Sequence, residues 1–554
     1  MADPASLSEV DTVPVIPASW TQNSNTDNVF GWLRPMNEFA RNAFHLVVDD
    51  MIHNPDTHLH ERQFIHLDGK ETVRSVSVSG SDDQADQEEP DQVQFVGAFK
   101  FSTSVHPKNL AKGWFIGTGR GKPEVDVVIG PPDSKWYSNK ILGNHARLYI
   151  HKESCQTTVE ALHSMEVSGS TGFKHIDQRM SASSKVLEDG HLVEFGRCMY
   201  LFHRGDAIAN GKFEKSLSGF MKYHHGDQWK AHPILSAPST GSHLTFDGYT
   251  FLPGAFAGGT FGEVTAGWAQ DGSAVAIKRF KRPNGKQLSQ HLKIMDLIGK
   301  HTNILELIHS TSNLEPAFPA IYCVYSPLAL ASLEDVVISN KINLPAQFAL
   351  LCDYLRGLVY LHETKGIMHR DIKPSNLGVL SFSPPRGIIL DLDAATTEEK
   401  SDDHGQGTYS YLAPEIINLK MGSTVEQKRY GSSVDVWALG MSAFRALRGQ
   451  HVNWNDYDDM WTRGRKLPGT EITDFVLEGR LKRFHDGFEQ RVITLGGYLK
   501  YFTLLQGMTM WDPNDRLSAS LALRDAGNLA ATLGRATILP RPSTQGTKRK
   551  IGED

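Results

Sequence analysis

The sequence predicts a multidomain chain: an all-β sandwich followed by a domain that mixes helix and strand. Three observations carry this. The chain has 554 residues, 40% of them hydrophobic and 22% charged. That composition is ordinary for a globular protein, and the length suits about two to four domains. Between residues 93 and 203, short alternating apolar segments recur between clusters of Gly, Pro, Ser and Asp, the spacing of a sandwich. Beyond residue 246, the loop His369-Arg370-Asp371-Ile372-Lys373-Pro374-Ser375-Asn376 sits between a helical run at 346–363 and strand-like residues at 377–380.

Taken in order, residues 1–28 are rich in Pro, Ser, Thr and Asn and read as disordered. Residues 28–78 regain apolar content, notably at 39–48, as a small helix or appended strands. Residues 79–92 are Ser, Gly and acids, a solvated spacer. The N-terminal region is therefore taken as 1–92, largely disordered, and the sandwich as 93–205. Its strands are expected at 96–101, 114–117, 125–129, 146–150 and 199–202. Residues 206–245 read as a linker with one short helix near 213–222, the mixed domain as 246–530, and 531–554 as a disordered basic tail. Lys548-Arg549-Lys550 could serve nuclear import, although three basic residues in a tail usually carry no signal.

Composition excludes several classes. The net charge of -6 argues against binding nucleic acid by bulk charge. No apolar run reaches membrane-spanning length. Residues 1–12 carry Asp and Glu with no basic region before an apolar core, so no secretory signal is expected. The four cysteines lack metal-ligand spacing and read as small buried hydrophobes of a reducing compartment. The expectation is an intracellular protein of nucleus or cytoplasm, with neither membrane nor nucleic acid as a direct partner.

The loop at 369–376 gathers a carboxylate, an ammonium and an amide. Phosphoryl transfer needs that set: a carboxylate to orient a hydroxyl and take its proton, a cation to offset the moving charge, and an amide oxygen for a metal ion. Ordered motifs flank it. Gly258-Gly259-Thr260-Phe261-Gly262-Glu263-Val264 and Val275-Ala276-Ile277-Lys278 lie upstream. Asp391-Leu392-Asp393, then Gly407-Thr408-Tyr409-Ser410-Tyr411-Leu412-Ala413-Pro414-Glu415, Asp435-Val436-Trp437 and Asp512-Pro513-Asn514-Asp515-Arg516 lie downstream. From about Phe246 to Asn528 this resembles the eukaryotic protein kinases, whose fold is α+β and bilobal.

The resemblance implies ATP and Mg2+ as cofactors and protein serine or threonine hydroxyls as substrates, since Lys373 stands two places after Asp371. It implies Asp371 as catalytic base, Lys373 as its charge-neutralising partner, and Asn376 and Asp391 as metal ligands. Lys278 would hold the nucleotide phosphates, and Ala257, Gly259, Gly262, Val264 and Ala276 would line the nucleotide. Arg370 before the aspartate implies a pairing with a phosphorylated activation segment, with Thr396, Thr397 and Ser401 as candidates. The sequence departs from the family twice. Asp393 replaces the glycine of D-F-G. The helix expected at 286–300 has no acid in the slot near Gln290, His291 or Leu292, where the family's glutamate fixes the lysine; Asp296 is the first acid. An active kinase and a weakly active or inactive pseudokinase scaffold both stay open.

The sandwich resembles a forkhead-associated domain through Gly119-Arg120, Val125-Asp126-Val127, Asn144-His145-Ala146 and Leu192-Val193-Glu194-Phe195-Gly196. That family reads phosphothreonine peptides. The resemblance implies Arg120, with Ser138 and Lys140 nearby, as phosphate contacts. The family's phosphate-binding serine position is Leu142, and its later Asn-Gly pair is Thr171-Gly172. A phosphopeptide reader and a docking sandwich remain alternatives, and the order of the two domains is similar to that of checkpoint-type kinases.

Overall fold

The computed structural model describes residues 28–73, 92–119, 122–130, 140–169, 172–176, 184–209, 213–227, 229, 232, 244–252, 257–258, 262–280, 285–311, 321–339, 343–421, 429–448, 482, 485–486 and 499–536. The expected disordered start, most of the acidic spacer and residues 537–554 of the basic tail lie outside these residues, while 531–536, expected as disordered tail, continue the last helix. The chain divides into two compact units, Met1–Ala255 with Thr265–Val275, and Phe256–Val264 with Ala276–Asp554.

The first unit is sheet-rich. It contains β1 (Val29–Pro35), α1 (Glu38–His53), β2 (Ile65–Val73), β3 (Gln92–Ser102), β4 (Trp114–Gly117), β5 (Val125–Val128), β6 (Ala146–Ile150), β7 (Thr157–Ala161), β8 (Met165–Gly169), β9 (Gly172–Ile176), β10 (Ser184–Val186), β11 (Leu192–Phe195), β12 (Cys198–Arg204) and α2 (Phe213–His225). One sheet runs β2-β3-β1-β12-β11-β8-β9, the other β10-β7-β6-β4-β5. Inward residues of both sheets share one core. The five strands that alternation placed are present, as β3, β4, β5, β6 and β12, because alternate side chains of a half-buried strand face one way.

Residues ahead of position 93 contribute more than the sequence indicated. β1 is an internal strand, paired with β12 on one side and β3 on the other. Its register is set by burial: Phe30 and Leu33 are inside. Phe30 packs against Phe101, Trp114 and Phe213, with ring centroids 6.3, 5.3 and 6.0 Å away. α1 starts at an Asn37 cap, whose side chain accepts from the Ala40 amide, and buries Ala40, Ala43, Phe44, Val47, Val48 and Met51. α2, from the expected linker, buries Phe213, Leu217, Phe220 and Met221 in the same core. Asp126, fully buried, accepts from the Lys108 and Phe115 amides at 2.8 Å each and lies 2.8 Å from the His60 ring. A buried carboxylate is tolerated only with such donors.

After the hairpin of β13 (Leu244–Phe246) and β14 (Tyr249–Phe251), the chain forms β15 (Ala257–Gly258), β16 (Gly262–Ala269), β17 (Ala274–Phe280), α3 (Gly285–Ile298), β18 (Glu306–Ser310) and β19 (Ile321–Ser326). Within the second unit β17 pairs antiparallel with β19, which pairs with β18. Then come β20 (Ala331–Ser332), α4 (Leu333–Ile338), α5 (Leu344–Val359), the three-stranded partners β21 (Leu377–Phe382) and β22 (Pro385–Ile389), α6 (Pro414–Met421), α7 (Ser433–Arg448), α8 (Leu499–Met508) and α9 (Ala519–Ala536). α5 begins at an Asn343 cap with proline in its first turn. It buries Leu350, Leu351, Leu355 and Leu358 against the Ile388 and Ile389 side of the hairpin and against α7 and α9. The functional loop leaves this packed base between α5 and β21. Arg516 grips Glu415 in a bidentate ion pair at 2.8 and 3.0 Å beneath α6.

Because Phe30 is a filled core position, Phe30→Ala should cost the first unit about 3–5 kcal/mol, measured by urea unfolding. A cost near zero would show that β1 is dispensable to the sandwich core.

Candidate active site

The loop at 369–376 is held by Asp435, in the first turn of α7. Its Oδ2 accepts from the His369 amide and its Oδ1 from the Arg370 amide, each at 2.8 Å. The His362 ring nitrogen lies 2.8 Å from Oδ2. Burial alone raises the Asp435 carboxyl, but the His362 hydrogen bond, the His362 and His369 charges and the amide donor outweigh it, holding the group below its ordinary value. These bonds fix Arg370 at φ 66, a left-handed conformation costly for a residue with a Cβ. The Arg370 Nε donates to the Ala394 carbonyl at 2.6 Å, and its Nη1 reaches Asp403 Oδ2 at 3.2 Å.

Asp371, Lys373 and Asn376 converge as expected. Lys373 Nζ donates to Asp371 Oδ2 at 2.8 Å and to Thr408 Oγ1 at 3.0 Å, and Thr408 Oγ1 donates to Asp371 Oδ1 at 2.9 Å. Asn376 Nδ2 donates to the Asp371 carbonyl at 2.8 Å and to its Oδ2 at 3.0 Å. This spends the amide hydrogens of Asn376 inward and leaves its oxygen as the group able to meet a cation.

Lys278, on β17, meets Asp391 Oδ1 at 2.8 Å and Asp393 Oδ2 at 2.5 Å. Burial works against the lysine's charge, yet the two carboxylates outweigh it and raise its pKa. Burial also opposes charge on Asp391, where Lys278 wins and the group is lowered. At Asp393 burial and the Asp391 charge win over the same lysine, and it is raised. One ammonium between two carboxylates leaves an excess of negative charge, which suits a divalent cation with oxygen ligands. Asp391 sits at φ 53, a second left-handed non-glycine residue of the site. Leu392 and Ala395, which follow it, are buried.

The nucleotide-lining residues are less complete. Ala257 pairs with Val264 across β15 and β16, and Ala276 pairs with Tyr325. Gly259 lies outside the described residues. At Gly262 a Cβ would lie 2.3 Å from the Arg279 carbonyl, so close strand approach requires a bare residue there. On α3, Gln290 and Asp296 are exposed while His291 is buried, so Asp296 does not take the place of the missing acid. Of the activation-segment candidates, Thr396 and Ser401 are buried and Thr397 is exposed. In the first unit Lys140 is exposed at φ 57, and Arg120 and Ser138 lie outside the described residues.

Thr408, Asp403 and Asp435 were given no role from sequence, and His291 was named only as an occupant of the slot of the missing acid. Thr408 and Asp435 stood inside quoted motifs, so a signal existed. His291 stood in the slot of the missing acid, but its partner Asp393, 102 positions away, was not foreseen, and Asp403, which meets Arg370 from 33 positions away, had no signal.

Asp435 carries a pH dependence with a definite sign. A carboxyl whose folded pKa lies below its unfolded value stabilises the fold above the unfolded value, 3.8, and that stability is lost as pH falls through the folded value. Acid unfolding of the wild type should therefore steepen below about pH 4, and Asp435→Asn should remove that part of the slope while lowering stability at neutral pH. An unchanged acid limb in the variant would contradict the assignment.

Comparison with known proteins agrees with this geometry. A family model described as the protein kinase domain matches residues 256–526. The mitogen-activated protein kinase pmk-2 of Caenorhabditis elegans is 29% identical over 299 residues, covering 48% of this chain and 69% of that protein. The serine/threonine-protein kinase ste20 of Aspergillus oryzae is 32% identical over 204 residues, covering 35% of this chain and 22% of that protein. Among solved structures, Rad53 1-466 in complex with AMP-PNP aligns with a TM-score of 0.41 and 19% identity over 74% of this chain and 90% of that one, a likeness too loose to bear on the fold. Residues 256–526 of this chain match the model of the protein kinase domain, and serine/threonine kinases are among the proteins that this stretch resembles.

Proposed function

We propose that the protein is an ATP- and Mg2+-dependent serine/threonine protein kinase. The observation that carries this is the Lys278–Asp391 ion pair, which joins residues 113 positions apart beside a complete Asp371–Lys373–Asn376 loop. Asp371 accepts the proton of a substrate hydroxyl and orients its oxygen. Lys373, already on Asp371 Oδ2, offsets the charge of the moving phosphoryl group. Lys278 holds nucleotide phosphates as a point charge. Asn376 and Asp391 are the hard-oxygen pair that would hold Mg2+, which when bound neutralises phosphate charge.

Two measurements test this. Transfer of radiolabelled phosphate from ATP to a protein acceptor should fall about 10²–10⁴-fold in Asp371→Asn. ATP should also raise the melting temperature with magnesium and much less in EDTA. Transfer indistinguishable from Asp371→Asn, with nucleotide still bound, would leave a pseudokinase scaffold instead.

The sheet-rich unit is proposed as a forkhead-associated-like module that docks partners, with phosphothreonine peptides as the ligand class. Support comes from its two-sheet core and from the buried Asp126 and His145 inside the quoted motifs. Calorimetry should show phosphopeptide binding that Arg120→Ala removes. Equal affinity for phosphorylated and plain peptides would leave docking alone.

A further inference from the structure

Lys278 meets two carboxylates, while the helix expected to supply an acid supplies a histidine. Side-chain exposure separates the two acids: Asp391 is 39% exposed and Asp393 9%, against 12% for the lysine itself. The more exposed acid is the one open to a cation. The less exposed one is enclosed with the ammonium, at the shorter distance of 2.5 Å. Its other oxygen, Oδ1, lies 3.3 Å from His291 Nδ1 on α3. Neither of those two buried atoms makes another hydrogen bond of ordinary geometry among the described residues, and the Leu392 backbone also acts on the imidazole beside Asp393. The His291 ring is itself turned by Tyr325, whose hydroxyl lies 2.7 Å from Nε2. Tyr325 is on β19, the strand beside Lys278.

We propose that Asp393 is the positioning residue for Lys278, replacing the acid absent from α3, and that His291 ties it to that helix. An ammonium on a flexible stem loses rotamer freedom when fixed, and a buried one needs a charged partner. Asp393 supplies the partner from the strand-to-loop segment that also carries Asp391. The helix then grips the lysine only indirectly, through the histidine. A shift of α3 would break the His291–Asp393 contact and leave the Lys278–Asp393 pair whole. The consequence for phosphoryl transfer rests on the kinase reading; the pairing does not.

The test uses the full chain and two readouts. Without nucleotide, melting temperatures of wild type, Lys278→Met, Asp393→Asn and the double variant form a cycle. Removing the Asp393 charge should be less favourable by about 5 °C with Lys278 present than without it. Additive shifts would overturn the pairing. In steady-state transfer, Asp393→Asn should raise KM for ATP and lower kcat, together by about 10²-fold, the cost of a misplaced reacting group. Its magnesium dependence should stay unchanged, and His291→Glu combined with Asp393→Gly should restore most of the loss. A changed magnesium dependence with no recovery would make Asp393 a metal ligand and overturn the proposal. A wild type that transfers no phosphate but shows the coupling would sink the kinase reading and leave the pairing standing.

Discussion

Asp435 is a carboxylate taken wholly out of water, and the functional loop hangs from it. Two backbone amides and one imidazole turn an expensive buried charge into a fixed point. Arg370 can occupy a left-handed conformation because both its amide and its guanidinium are held. With Arg370 fixed, Asp371 has little freedom left, and Lys373, Asn376 and Thr408 close around its two oxygens. Positioning therefore precedes chemistry: the carboxylate that would take a proton is oriented before any substrate arrives.

The Arg370–Asp403 contact shows how the same arginine relates to the segment that follows. The family resemblance pairs such an arginine with an added phosphate. Here a carboxylate of the chain itself stands within 3.2 Å, and Tyr430 donates to the carbonyl of that residue. Two of the three hydroxyl residues suggested as phosphate acceptors are buried, Ser401 in a bridge with Tyr430 and Thr396 in one with Met368. The segment is thus tied down by backbone pairing and one native acid.

In the first unit, burial rather than motif decides the architecture. Phe30 sits among three aromatic rings from β3, β4 and α2, so segments that flank the recognisable sandwich belong to its core. Rings at such spacing gain both area and favourable edge contacts. Alternation marked the strands between residues 93 and 203 well. It marked β1 poorly, because Val29–Pro35 is short and its glycine and single proline dilute the pattern.

The sequence by itself determined the convergence of the loop. Asp371, Lys373 and Asn376 lie within a few residues of one another, and local spacing is enough to bring their side chains together. It also determined α5 and the sandwich strands near 96–101, 114–117, 125–129, 146–150 and 199–202, since period and apolarity are local properties. Only the tertiary structure decided which residue answers Lys278. The choice among Asp296, His291, Asp391 and Asp393 depends on which face of α3 is buried and on how far the ammonium reaches across the strand. The role of Gly262 was likewise invisible, because the carbonyl it avoids belongs to a strand folded back against it. Charge pairing and close approach are set by distances in space, and a linear spacing records those only within one element.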